Sequence, residues 1–226
     1  IEIPEKSITA FIGPSGCGKS TTGKSIIGLE KITSGNIIYE GVDVTNKVRS
    51  RNSAYNRDIQ MIFQDAHSSL NPRKRVEDII AEPIRNFLKL SPGEERKRIN
   101  ELLAIVGMSE EARIKYPHEF SGGQKQRLSI ARALAIDPEI IVFDDSFSAL
   151  DFKTDSKLRE ELSKQTKGKT VIIVAQRIST ILNADQIIVL DEGKIVGKGT
   201  HKELMQNCEE YKEIAMSQLT EDELNG

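Results

Sequence analysis

Gly13-Pro-Ser-Gly-Cys-Gly-Lys-Ser20, followed by Thr21, is the stretch of this 226-residue sequence that decides its fold. It fits the pattern G-x-x-x-x-G-K-[ST], in which a glycine-rich turn surrounds phosphate groups with backbone N–H groups. The apolar run Ile8-Thr-Ala-Phe-Ile12 precedes it and predicts a buried strand, and a helical pattern that ends near Gly28 follows it. Because a helix N-terminus attracts anions, this strand, turn and helix together predict a polyphosphate site.

The side chains of this loop suggest separate roles. Lys19 has the length and charge to reach the β- and γ-phosphates, and the Ser20 hydroxyl is a ligand for Mg²⁺. The alternative is a chance match in a glycine-containing turn, which average composition gives in roughly 1 of 100 chains of this length. The residues expected to surround the phosphates are Gly13, Pro14, Ser15, Gly16, Cys17, Gly18, Lys19, Ser20 and Thr21.

The composition limits the class of protein. The net charge of −2 predicts no global attraction to nucleic acid or to anionic membranes. No apolar run approaches the ~20 residues of a membrane helix, and the opening Ile1-Glu-Ile-Pro4 lacks the basic region of a signal peptide. Cys17 and Cys208 suggest no disulfide framework, so we expect a reducing, cytoplasmic location. From the near-neutral net charge we expect no nucleic-acid partner.

The remaining patterns predict an α/β fold with a P-loop core and a mostly parallel sheet. Buried strands are predicted at 59–63, 140–143, 169–175 and 186–190, and a small antiparallel piece at 35–44. Residues 45–58 are polar and basic and predict a solvated loop, and 200–219 predicts a C-terminal helical region. Helical patterns at 76–88, 93–106 and 109–115 predict an inserted helical subdomain. We therefore expect a core formed by 1–65 and 138–226, with the subdomain at 66–137.

Polar side chains follow two of the predicted strands. Gln64 comes just after 59–63, and Asp144 and Asp145 end the run that starts at Ile140. A hydrophobic strand that delivers Asp at its carboxyl end holds Mg²⁺ in P-loop folds. Separately, Ser121 can cap a helix whose first residues are glycines, which fits either a second anion site or a capped helix without a ligand.

Taken together, these motifs resemble the nucleotide-binding domain of ABC transporters. Gln64 matches the Q-loop, Ser121-Gly-Gly-Gln-Lys-Gln-Arg127 the family signature, Ile140–Asp144 the Walker B strand and Ser148-Ala-Leu-Asp151 the D-loop. The resemblance implies an ATPase in which Mg²⁺–ATP lies between two such domains, arranged head to tail and attached to a separate membrane subunit.

Site residues follow from the same resemblance. It assigns Mg²⁺ to Ser20, Gln64 and Asp144, and catalytic roles to Lys19, Asp145 and Gln176. The residues that would contact the nucleotide from the signature and the D-loop are Ser121, Gly122, Gly123, Gln124 and Asp151.

Two departures from the family pattern bear on activity. Asp145 stands where the general base is usually Glu, and Gln176 stands where the family usually has His. Asp is one methylene shorter, and Gln cannot carry a positive charge. The pair is similar to the slowly hydrolysing half-site of heterodimeric exporters, so we expect slow turnover. A non-hydrolytic ATP-binding module and an ABC ATPase acting on DNA are the alternatives.

Different segments resemble different branches of the family. Residues 8–21 are similar to phosphate importers, residues 23–137 to oligopeptide importers, and residues from 138 onward to multidrug exporters. One hypothesis is therefore a recombined or engineered domain joined near residues 22 and 137.

Overall fold

A six-stranded sheet organises the computed structural model, which describes residues 1–46, 54–65, 69–145 and 156–219. Its strands, in chain order, are β1 (Ile8–Ile12), β4 (Ile59–Ile62), β5 (Ile140–Asp144), β6 (Thr170–Val174), β7 (Gln186–Asp191) and β8 (Lys194–Gly199). Their spatial order is β4-β5-β6-β1-β7-β8; the first five are parallel, and β8 pairs antiparallel with β7. The predicted α/β fold with a mostly parallel sheet is confirmed.

The sheet is covered on both faces, which explains its continuous apolar strands. In β1, Ala10 and Ile12 belong to a core cluster that also contains the helices between β4 and β5, whereas Phe11 belongs to a cluster on the opposite face. Strand β6 is buried at every position. Such strands lack the polar alternation of a half-exposed sheet, so only run length and β-branched composition predict them.

Helices connect the strands. Their bounds are α1 (Lys19–Ile26), α2 (Ala54–Asp58), α3 (Val76–Phe87), α4 (Pro92–Ile105), α5 (Gly122–Ala133), α6 (Ser156–Thr166), α7 (His201–Asn207) and α8 (Glu209–Gln218). Short 3₁₀ turns occur at Glu110–Ile114, Pro117–Glu119, Leu134–Ile136 and Ile178–Thr180. Helices α3, α4 and α5 pack on one another between β4 and β5 in the chain, and the expected subdomain limits of 66–137 remain a prediction.

A small antiparallel sheet forms as expected but is shorter. It pairs β2 (Ile38–Tyr39) with β3 (Val42–Asp43). The predicted start at Gly35 is wrong because Gly35 has a left-handed backbone, with φ of 86°. The backbone N–H of Ile37 donates to Thr45 Oγ1 at 2.8 Å, which closes the hairpin from outside the strands.

The predicted loop at 45–58 is wrong at its end, because 54–58 form α2. Tyr55 anchors this helix: it is buried, and its hydroxyl donates to the carbonyl of Ile26 at 2.7 Å. Its ring also meets the edge of Tyr39 at 5.2 Å between centroids.

The C-terminal helical region is confirmed but divided at Cys208, which is extended and buried. None of the helices in the described residues has the length and apolarity to cross a membrane.

Candidate nucleotide site

The candidate site lies at one edge of the sheet, where four neighbouring parallel strands end. Asp144 pairs with Val174, and the backbone N–H of Ala175 donates to Phe11 at 2.9 Å, so β6 ends between β5 and β1. The carboxyl ends of β4, β5, β6 and β1 therefore bring Gln64, the two aspartates, Gln176 and the glycine-rich loop to a common edge. Open α/β sheets bind ligands at this kind of edge.

The glycine-rich loop takes its shape from close packing beneath it. A Cβ on Gly13, whose φ is 153°, would lie 1.9 Å from the backbone oxygen of Leu190 in β7. By contrast, a Cβ on Gly16 or Gly18, with φ of 84° and 103°, would meet nothing within 4 Å. The loop is thus held tightly against the sheet at Gly13 and open where a phosphate would approach. Pro14, Ser15 and Gly16 are exposed there.

Lys19 lies inside this loop. Its ammonium group donates to the carbonyls of Gly13 at 2.7 Å and of Pro14 at 2.9 Å, and the residue is only 8% exposed. Cys17 Sγ is a third, weaker acceptor at 3.6 Å. Because the two carbonyl acceptors are neutral, they leave the positive charge of Lys19 for an anion. A partly desolvated cation interacts with a phosphate more strongly than an exposed one.

The two aspartates join the loop to the Q-loop glutamine. Ser20 Oγ donates to Asp144 Oδ1 at 2.8 Å, and Gln64 Nε2 donates to Asp145 Oδ2 at 3.2 Å. Both aspartates are buried. Asp145 has a left-handed backbone, with φ of 45°, and its N–H donates to Val174 at 2.8 Å.

The donor set around Ser20 and Asp144 fits Mg²⁺, because it consists of a hydroxyl and a carboxylate beside a glutamine amide. The described residues contain no group of three or more His, Cys, Asp or Glu side chains that could hold a metal alone. Mg²⁺ commonly binds through one or two carboxylates together with substrate phosphates, so this sparse set is the expected one.

Gln176 follows β6 and has an exposed side chain. Its backbone carbonyl accepts a hydrogen bond from Gln218 Nε2 at 3.0 Å. Gln176 therefore follows a strand that lies between β5, which carries the aspartates, and β1, which leads into the loop, and its contact with the γ-phosphate remains a prediction.

The signature residues form a separate surface. Ser121 caps α5, its Oγ accepting from the N–H of Gln124, while Gln124 Oε1 accepts from the N–H of Ser121 at 3.0 Å. Gly122 and Gly123 are exposed. In the described part of the chain, no hydrogen bond joins residues 121–124 to residues 13–21. Asp151 and the rest of the D-loop lie outside the described residues.

Sequence reasoning missed three supports of the site. The backbone N–H of Gly193, in the β7–β8 turn, donates to Cys17 at 3.2 Å. Gln126 is 1% exposed and its Nε2 donates to the carbonyl of Phe63 at 3.2 Å, which ties α5 to the residue before Gln64. Gln218 holds the backbone at Gln176. Only Gln126 had a sequence signal, since it shares a helix face with the apolar residue Ile130.

A phosphate-binding loop between a parallel strand and a helix, with aspartates at the end of a neighbouring strand, defines a P-loop nucleotide-binding domain. The family model described as ABC transporter matches residues 1–148. The chain therefore belongs to the ABC transporter family and is an ATP-binding domain of that family.

Known proteins of this family resemble the chain closely. Oligopeptide transport ATP-binding protein OppF of Lactococcus lactis subsp. lactis is 46% identical over 207 residues, which cover 90% of this chain and 65% of that protein. OppF of Bacillus subtilis is 46% identical over 203 residues, 87% of this chain and 66% of that protein. The chain thus spans about 65% of the length of these relatives. Because a single relative aligns over 90% of the chain, the hypothesis of a recombined domain has no support.

A solved structure agrees with the sequence relatives. The dimeric structure of a post-hydrolysis state of an ATP-binding cassette bound to ADP and Pi matches with a TM-score of 0.78 and 32% identity. The match covers 88% of each chain.

Proposed function

We propose that this domain binds Mg²⁺–ATP and hydrolyses it slowly to ADP and phosphate, and that it powers oligopeptide transport through a separate membrane subunit. The observation that carries the proposal is the 2.8 Å hydrogen bond from Ser20 to Asp144, which joins the phosphate loop to the carboxylate of the neighbouring strand. The transported class comes from the names of the relatives, which are oligopeptide transport ATP-binding proteins.

The residues at the carboxyl edge of the sheet have separate roles in the proposed reaction. Lys19 and the loop N–H groups stabilise the phosphate charge, and Ser20, Gln64 and Asp144 would hold Mg²⁺, which would neutralise phosphate charge. Asp145 orients or deprotonates the attacking water, and Gln176 donates to a γ-phosphate oxygen. A carboxylate one methylene short of the usual glutamate limits the rate, because general-base catalysis needs hydrogen-bond reach to the water.

A second domain completes the site. Ser121, Gly122, Gly123 and Gln124 form an exposed helix N-terminus that suits phosphate, yet they do not bond to the loop of their own chain. A two-fold dimer would place them, with Asp151, against the ATP of the partner. The dimeric cassette bound to ADP and Pi supports this arrangement.

The membrane subunit would dock beside the helical subdomain, at the cytoplasmic face of the membrane. A cleft of about 270 Å³ lies there between the core and α3. Its lining includes the apolar residues Ile27, Leu29, Met61, Phe63 and Phe87. Leu29 is 56% exposed, so the cleft offers apolar surface to a partner.

Phosphate release tests the proposal. Lys19→Ala should lower the steady-state rate by roughly 100-fold, since removing one preorganised charge or donor commonly costs that much. Lys24→Ala is the matched control, because Lys24 lies in the last turn of the same helix. Equal rates in the native protein and Lys19→Ala would contradict the ATPase. Tight Mg²⁺–ATP binding without phosphate release would instead support the non-hydrolytic module.

A further inference from the structure

The segment after β6 is fastened to the C-terminal helix by one side chain. Gln218 ends α8, and its Oε1 accepts from the backbone N–H of Ile178 at 2.9 Å. The Nε2 of the same amide donates to the backbone carbonyl of Gln176 at 3.0 Å. One side chain therefore bonds the main chain on both sides of Arg177, across 40 and 42 residues of sequence.

These contacts need the chemistry of an amide. Glutamine offers one donor and one acceptor group at its tip, and here each bonds a different peptide unit. Two bonds from a single planar group fix both the position and the tilt of the segment. A carboxylate of the same length would keep only the bond from Ile178.

The helix that carries Gln218 is itself firmly packed. Tyr211 and Ala215 of α8 are fully buried, and so is Ile178 in the fastened segment. All three belong to the main core cluster, and Leu219 follows Gln218 into it. Gln218 therefore reaches the segment from a well-packed helix, and Gln176 itself is exposed.

We propose that Gln218 is a positioning residue for Gln176. By fixing the backbone of 176–178, it sets the distance from which the Gln176 amide meets the γ-phosphate, and so it links the α7–α8 helix pair to nucleotide turnover. The inference rests on the function proposed above, in which Gln176 contacts the γ-phosphate. It predicts that loss of the Gln218 amide lowers the affinity for Mg²⁺–ATP but not the affinity for Mg²⁺–ADP, because ADP has no γ-phosphate.

The test replaces the amide without changing the length of the side chain. Gln218→Met should lower kcat for phosphate release and the affinity for Mg²⁺–ATP, each by roughly fivefold to tenfold, the size expected when hydrogen bonds of modest net strength are lost. Affinity for Mg²⁺–ADP, measured by titration calorimetry, should not change. Ser217→Ala is the matched control, since Ser217 is exposed on the same helix and bonds only the local carbonyl of Ile214; it should leave all three values unaltered.

A double-mutant cycle shows whether Gln218 acts through Gln176. In a Gln176→Ala background, Gln218→Met should have no further effect on kcat or on ATP affinity. An undiminished effect in that background, or equal losses for ATP and ADP, would overturn the inference and indicate a general loss of stability. If Gln218→Met does not fold, Gln218→Glu decides, because it keeps the bond from Ile178 and must still show the ATP-specific loss.

The outcomes separate the two proposals. A native protein no faster than Lys19→Ala overturns the ATPase function and this inference with it. An active native protein that is slowed by Gln176→Ala but unaffected by Gln218→Met overturns the inference alone.

Discussion

At the scale of single residues, Asp145 is the most informative position. It combines a left-handed backbone, burial, and a 3.2 Å hydrogen bond from Gln64. Asp tolerates the left-handed region better than most residues, whereas the longer side chain usual in the family has better reach. The left-handed backbone at position 145 therefore favours Asp, whereas reach to the attacking water favours Glu.

Asp145→Glu should raise kcat for phosphate release by about tenfold or more, because the added methylene extends the carboxylate toward the attacking water. The melting temperature should fall slightly, since Glu is less suited than Asp to a φ of 45°. Single-turnover kinetics with saturating Mg²⁺–ATP measure the first effect and calorimetry the second. Asp145→Asn, which cannot accept a proton, is the control. A rate for Asp145→Glu at or below that of the native protein would show that Asp145 is not the limiting group.

At the scale of elements, the loop at residues 13–18 divides into a packed part and an open part. Gly13 lies against the backbone of β7, and Gly16 faces open space. The motif G-x-x-x-x-G-K-[ST] requires glycine at position 13 and leaves position 16 open, but it does not give the reason, because the contact of Gly13 with β7 joins residues far apart in the chain.

Alanine substitutions should separate the two parts. Gly13→Ala should cost about 4 kcal/mol or more of the free energy of unfolding, since the new Cβ would lie 1.9 Å from the oxygen of Leu190. Gly16→Ala should cost only about 1–2 kcal/mol, from its left-handed backbone. Urea denaturation measures both. Equal losses would contradict the packing seen at Gly13.

The elements also show how far sequence patterns reach. Strand β6 and helix α5 were predictable, one from a run of apolar residues and the other from its cap and helical spacing. Helix α2 was not, because its five residues are held by the burial of Tyr55 and not by a periodic face. The division at Cys208 likewise depends on packing, since a Cβ on Gly197 would lie 2.6 Å from the Cys208 sulfur.

At the scale of the whole molecule, the two proposed phosphate-binding surfaces lie on separate parts of one chain. They are the loop at residues 13–21 and the signature at residues 121–124. In the described residues the loop and the signature share no hydrogen bond, and the dimer proposed above would bring them together on one nucleotide. The proposed dimer has two such composite sites, and each uses the loop of one copy and the signature of the other.

Mixing two inactive variants should restore activity. Lys19→Ala removes the loop cation, and Gly123→Asp places a carboxylate at an exposed position where a new Cβ meets nothing within 4 Å. A mixed dimer has one site with both defects and one with neither. The mixture should therefore release phosphate at roughly a quarter of the native rate, while each variant alone is nearly inactive. A mixture as inactive as its components would contradict the shared site.

The sequence by itself determined the phosphate loop, the strand and helix around it, and the identity of the aspartates. These are local features, since each depends on residues adjacent in the chain. Only the tertiary structure decided that β6 ends between β5 and β1, so that Gln64, Asp144, Asp145 and Gln176 meet at one edge. It alone decided that Gln218 bonds a carbonyl 42 residues away. The physical reason is that strand order and such long-range contacts depend on how the buried faces of distant segments pack, and no local spacing encodes that packing.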